Sequence, residues 1–345
     1  MEVLDTNFED DFKKFYEHHL MNDFYKLEAE RIKWLLLWIL VACCMIIVGW
    51  CGYDCFKKQL ISKDALNLIS FGEIFALAFV SGWPNKKFKT KVKKDVVEIV
   101  LSFLGRFMYR KEKATPEDLQ ECAKLYDFDR SNTDDVIEGE YGECYIKIIE
   151  ANLLKRRDFK EKEDSKVFEG AFIFLEFNKN YFEDIKLSYF NKAFYLWFNL
   201  FFLIAYVLLY SSGGFDEILF LFFVVLFHIG FIFFYFFNKK KTRKIDYLKN
   251  YMIDSNIKND EIFRILKVGL IENIYGLNKS FNGKVEKIYF NKNRIIIAIG
   301  AKGDLFDVVN IFKKTLSYKS VRKMIGQFCN IYKIIDFVEN NYKEN

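Results

Sequence analysis

Two kinds of hydrophobic spacing alternate along the chain. Residues 34–53 form an apolar run with no charge until Asp54, and about 20 residues at roughly 1.5 Å each cross a hydrocarbon core of about 30 Å. A second run, 65–83, is interrupted by Asn67 and Glu73. A carboxylate at mid-span costs on the order of 2.5–3.5 kcal/mol on insertion, which Ile69, Phe71, Ile74, Phe75, Leu77 and Phe79 offset. Runs at 193–210 and 218–237 are rich in Phe and Leu, and the turn between them, 211–217, contains Ser211, Ser212, Gly213 and Gly214. The pattern predicts about four transmembrane helices in two hairpins.

Between these runs the spacing is that of a folded polar domain. Val92, Val96, Ile99, Val100, Phe103, Leu104 and Phe107 recur at three and four residues, predicting an amphipathic helix within 86–113. Thr115-Pro116-Glu117-Asp118 reads as an N-cap, a proline at the first helical position and acids in the first turn, opening a helix to about Tyr126. Residues 136–137, 143–151 and 167–177 are β-branched and aromatic and predict strands. Further on, 260–275 and 321–342 predict helices, while 284–290 and 294–300 predict a hairpin over Asn291-Lys292-Asn293. Ile295 to Ile299 is continuously apolar, as expected of a central strand buried on both faces.

The fold class expected is therefore an α+β cytosolic domain with antiparallel strands, combined with the membrane helices. The chain divides into an N-terminal helical segment (1–33), a first transmembrane hairpin (34–83), a first half of the α+β domain (84–192), a second hairpin (193–237) and a second half (238–345). Lys and Arg mark cytosolic flanks. Lys86, Lys87, Lys89, Lys91, Lys93 and Lys94 follow the second run and Lys239, Lys240, Lys241, Arg243 and Lys244 follow the fourth, so both polar halves are expected in the cytosol. Lys57, Lys58 and Lys63 after the first run pull mildly the other way.

Composition narrows the classes. Only 2 Pro and 17 Gly exclude a collagen, and 40 Phe among 52% hydrophobic residues exclude a disordered tail. A mean hydropathy of −0.02 conceals the membrane runs by averaging them against Lys-rich stretches. The net charge of +5 is too small for a nucleic-acid partner. Seven scattered Cys, an odd number, form no disulfide framework and suit a reducing compartment. The acidic balance of 1–33 predicts no cleavable signal.

The order of several motifs resembles a bacterial family known only as a domain of unknown function. They are Asp135-Val136-Ile137-Glu138-Gly139, Val167-Phe168-Glu169-Gly170-Ala171 with Phe177-Asn178-Lys179, Ser280-Phe281-Asn282-Gly283-Lys284, and Ile295-Ile296-Ile297-Ala298-Ile299 with Asp304-Leu305-Phe306. The resemblance implies an N-terminal hydrophobic hairpin followed by one cytosolic α+β domain, over roughly residues 10–340. Here the 193–237 hairpin is an insertion. The family implies no catalytic residue, substrate or cofactor.

Candidate chemistry is sparse. Asp127 to Glu138 places oxygens at positions 1, 3, 5, 7, 9 and 12, as in a calcium EF-hand loop. Asn132 stands where that loop needs Gly, Arg130 adds a cation, and strand follows instead of helix, so an acidic solvated turn is the stronger reading. Leu40-Val41-Ala42-Cys43 has the form of a lipoprotein box, but the apolar run continues past it as a spanning helix would. Cys51 and Cys55 share a helical face without a companion His, and His18, His19 and His228 have no metal spacing. No catalytic, cofactor-binding or metal residue is therefore assigned. Glu73 carries the one intramembrane charge that would serve transport. The expected function is a membrane-anchored binding, scaffolding or sensing module of the bacterial inner membrane. Its expected partners are the bilayer, anionic lipid at Lys86 to Lys94 and an unidentified protein. A small transporter using Glu73 and a membrane-anchored enzyme are the alternatives.

Overall fold

The computed structural model describes residues 6–72, 74–75, 97–110, 113–156, 164–189, 251–255, 257, 262, 264–301 and 318–342. The chain forms two compact units, Met1–Tyr109 with Phe306–Cys329, and Arg110–Leu305 with Asn330–Asn345.

The first unit opens with a helix that is unbroken from Thr6 to Lys57: α1 (Thr6–Phe15), one π-helical turn (Tyr16–Leu20) and α2 (Met21–Lys57). Phe12, Leu20, Phe24, Leu27 and Arg31 are buried. Phe12 and Leu20 are too far apart for a plain α-helix to put both inward, since eight residues at ~100° each overshoot two turns by about 80°. The wider i→i+5 winding of the π-turn takes up the excess. Phe12 then meets Phe103 at 5.5 Å and Tyr318 at 5.4 Å between ring centroids, and Phe15 meets Phe103 at 4.9 Å. Arg31 is held on the same helix by Glu28, with Nε and a terminal nitrogen donating over 2.9 and 2.6 Å.

The helix expected over 86–113 is seen at 97–104 and ends sooner than its spacing predicts. Gly105 adopts φ +117°, a backbone that glycine supplies without strain, and Phe107 begins strand β1 (Phe107–Arg110) instead of a further helical turn.

The second unit follows with α3 (Pro116–Ala123), β2 (Arg130–Tyr141), β3 (Cys144–Lys155), β4 (Ser165–Phe177), β5 (Phe182–Tyr189), β6 (Tyr251–Asp254), α4 (Val268–Ser280), β7 (Lys284–Lys292), β8 (Arg294–Gly300) and the C-terminal part of α5 (Tyr318–Asn341). Its strands form one antiparallel sheet in the order β2-β3-β4-β8-β7-β5-β6. Antiparallel pairing and the helices bear out the α+β expectation. Thr115 caps α3 as expected, in a reciprocal box: Asp118 N donates to Thr115 Oγ1 and Thr115 N to Asp118 Oδ2.

Strand β8 lies between β4 and β7, and Ile295 to Ile299 are all at most 1% exposed. Side chains alternate between the faces of a strand. Ile296 and Ala298 accordingly join Phe168, Phe172, Leu125 and Tyr126 beneath α3. On the other face Phe182 packs against Phe290 and Tyr342, and α4 approaches α5 so closely that a Cβ on Gly269 would stand 2.4 Å from the Phe337 ring. The β7–β8 turn is shorter than expected. Asn291 pairs with Arg294, leaving only Lys292 and Asn293 in the turn, with Lys292 at φ +44°.

Candidate membrane anchor and polar networks of the sheet

Residues 10–57 are helical, long and apolar enough to cross a membrane, and only 11% of their most apolar window is buried. A core helix would hide such a surface. Here Leu36, Leu40, Ile46, Ile47 and Trp50 are exposed, Trp50 by 75%. One row is half-buried, and fully buried at Gly52: Trp38, Ala42, Met45, Gly49, Gly52 and Phe56, spaced four and three residues apart in alternation. This is the seam spacing of a helix with a helical neighbour. At Gly52 a Cβ would lie 3.5 Å from Ile69 and 3.6 Å from Leu66, both on the next helical stretch, 63–72.

The turn joining the two helices is built locally. Lys58 N and Leu60 N donate to Asp54 O and Cys55 O over 3.0 and 2.9 Å, and Gln59 takes φ +59°. Ser62 Oγ then accepts from Ala65 N at 3.2 Å, capping the second helix. Lys58 is paired with Asp54 at 2.6 Å, so one basic residue of this turn is matched by the acid that ends the apolar run. Cys43, in the lipoprotein-like box, is an ordinary residue of α2, and none of the seven Cys forms a disulfide.

The sheet carries two polar networks on the face beneath α3. In the first, Lys147 donates to Asp118 Oδ1 at 2.8 Å and lies 3.7 Å from Glu138, which also accepts from Arg110 and Tyr145, each at 2.9 Å. Burial alone would raise the Asp118 carboxyl, but the Lys147 bond and the Thr115 amide outweigh it, and its pKa lies below the ordinary value. The Tyr145 hydroxyl is pushed up by burial and then by Glu138. This is a charge-matched cluster that holds α3 to β3 and β2.

In the second network Tyr126 donates to Glu286 at 2.7 Å, Lys287 donates to Leu125 O at 2.7 Å, and Lys186 donates to Lys124 O at 2.9 Å. Two lysines thus satisfy carbonyls left over where α3 ends. The Lys287 ammonium lies 3.9 Å from the centre of the Tyr126 ring, and burial followed by the charge of Lys186 lowers its pKa. Burial followed by Glu286 raises that of Tyr126. Burial likewise raises the Cys122 and Cys144 thiols, which keeps them protonated and poor nucleophiles.

The stretch Asp127 to Glu138 forms no single loop, because β2 begins at Arg130 and sends successive side chains to opposite faces. Asp127 pairs with Lys155, Asp129 accepts from the Arg156 amide at 2.8 Å, and Arg130 pairs with Asp164 at 2.9 Å. Two of the oxygen-bearing residues that suggested calcium, Asp127 and Asp129, tie the turn to the end of β3, and Glu138 belongs to the network around Lys147. Among the described residues no group of three or more His, Cys, Asp or Glu is placed to hold a metal ion. Glu73, the Lys86 to Lys94 flank, and the runs at 193–210 and 218–237 lie outside the described residues. Sequence reasoning passed over Lys147 and Lys287, although a lone lysine inside an apolar strand is a visible signal. Their partners were not visible, being far away in the chain.

Residues 239–339 match the family described as a protein of unknown function (DUF3137), a stretch that takes in β6, α4, β7, β8 and most of α5. No curated protein and no solved structure matches the chain. The resemblance to an uncharacterised domain family is thereby supported for the C-terminal part of the chain.

Proposed function

We propose that this chain is a multi-pass protein of a bacterial inner membrane, anchored by two helical hairpins, whose sheet domain stands in the cytosol and binds a protein partner or senses a ligand. The observation that carries this reading is the inverted exposure of α2, apolar on its open side, half-buried along one row, and met at Gly52 by the helical stretch 63–72. That row, facing Leu66 and Ile69 at Gly52, supports 65–83 as the second span of the first hairpin. The lysine flanks support the orientation, and the Lys86 to Lys94 cluster would add affinity for anionic lipid at about 1 kcal/mol per basic residue. Ion-paired and carbonyl-bonded polar groups in the sheet fit a binding scaffold better than an enzyme site. Reporter fusions after Lys113, after Lys166 and at the C-terminus should report cytosol, and one at Gly213 should report outside. A periplasmic signal after Lys166 would overturn the topology.

A further inference from the structure

We propose that the π-turn Tyr16–Leu20 is a register joint, holding one residue of slack between the aromatic anchor of α1 and the helix that leads into the membrane. This goes beyond the anchoring reading, because an anchor needs no such turn. Leu20, the last residue of the turn, departs from helical values with φ −98° and ψ −31°, while Phe15 and Met21 on either side of the turn keep φ −60° and −62°. Each side is fixed by packing. Before the turn, Phe12 and Phe15 rest on Phe103, and at its first residue Tyr16 meets Tyr318 edge-on at 5.2 Å. Leu20, which closes the turn, and Phe24 and Leu27 after it are buried, while Glu17, His18 and His19 within the turn are exposed.

The choice of register rests on adjacent residues. A plain α-helix continued from Phe12 would bring His19 inward, seven residues on and only about 20° from two full turns. The π-turn brings Leu20 inward instead. Burying an apolar side chain in place of an imidazole favours the observed register. Displacing the inserted residue towards α2 would rotate each turn it passes by about 100°, so the sequence holds a second arrangement one residue away from the first.

Hydrogen exchange on the full chain in detergent micelles tests this. In the wild type, amides of 16–24 are expected to exchange about ten-fold faster than those of 25–31. Deleting His18 leaves Phe12 and Leu20 seven apart, and should abolish that difference without lowering the thermal midpoint. Exchanging the two residues, His19→Leu with Leu20→His, should move the fast amides beyond residue 20. Uniform protection across 16–31 in the wild type, a His18-deleted chain that unfolds earlier than wild type, or a swap that leaves the fast amides in place would each overturn the joint.

Discussion

Helix α2 and the sheet of the second unit treat hydrophobic and charged residues in opposite ways. In α2, Leu40 and Ile46 stand in the open, whereas between α3 and the sheet Asp118 and Lys147 are withdrawn from solvent and matched to one another. On the proposed anchoring, the same chain satisfies two solvents. An exposed aliphatic row is stable where the surroundings are lipid, and a buried charge is stable only where its partner is built in. Burial alone does not rank these regions, and the chemistry of what lies outside each surface does.

The comparison can be broken most severely from the sheet side. Phe172 is fully buried against Phe168 and Tyr126, so Phe172→Ala should cost about 3–5 kcal/mol, read as a large drop in the thermal midpoint of the sheet domain in the detergent-purified chain. A shift no larger than that of Leu68→Ala would show that this face is not core. From the other side, Leu40→Asp should raise the insertion cost by about 3–4 kcal/mol while leaving the sheet intact. Membrane fractionation after alkaline extraction measures it, and unchanged retention would mean that Leu40 does not face lipid. The smallest effect sharpens the contrast: Lys147→Met strands Asp118 and should cost roughly 1–3 kcal/mol at neutral pH.

Acid distinguishes that last change from simple loss of packing. The folded Asp118 pKa is depressed, so its contribution is fully present above the ordinary carboxylate pKa of about 3.9 and is lost as pH falls through the lower folded value. In Lys147→Met the chief cause of the depression is gone. The deficit relative to wild type should therefore narrow on acidification through this range, and a gap independent of pH would assign the loss to packing.

Much of this was legible in the sequence. The central burial of Ile295 to Ile299, the Thr115 cap and the strands at β3, β4, β7 and β8 follow from local spacing and local chemistry. β5 was not legible, since Glu183 and Asp184 sit together where a bulge between Phe182 and Ile185 breaks the alternation. β6 has only four residues and β1 continues a helical spacing past Gly105, so neither has a period of its own. The start of β2 was concealed by the acids just before it, Asp127 and Asp129, which read as a turn because their partners, the Lys155 ammonium and the Arg156 backbone N–H, come from the far end of the next strand. The long apolar helix was read directly from the length of 34–53, whereas the networks depend on long-range pairs such as Asp118 with Lys147 and Tyr126 with Glu286 that no local pattern encodes.

The central place of β8 also sets an order of events in time. The contacts of β2 with β3 and of β7 with β8 are made through short turns, but β4 must find β8 across about 130 residues, from Gly170 to Gly300. Closing so long a loop is slow. Nor is the seam tolerant, because a Cβ at Gly170 would fall 2.0 Å from the Ile299 carbonyl. Until it closes, β8 presents a row of apolar residues with one edge covered by β7 and the other unpaired, the form in which strands recruit foreign strands. For a chain made from its N-terminus, the first strands wait and the last central strand arrives late, and the interval between them is when this protein is most exposed to aggregation.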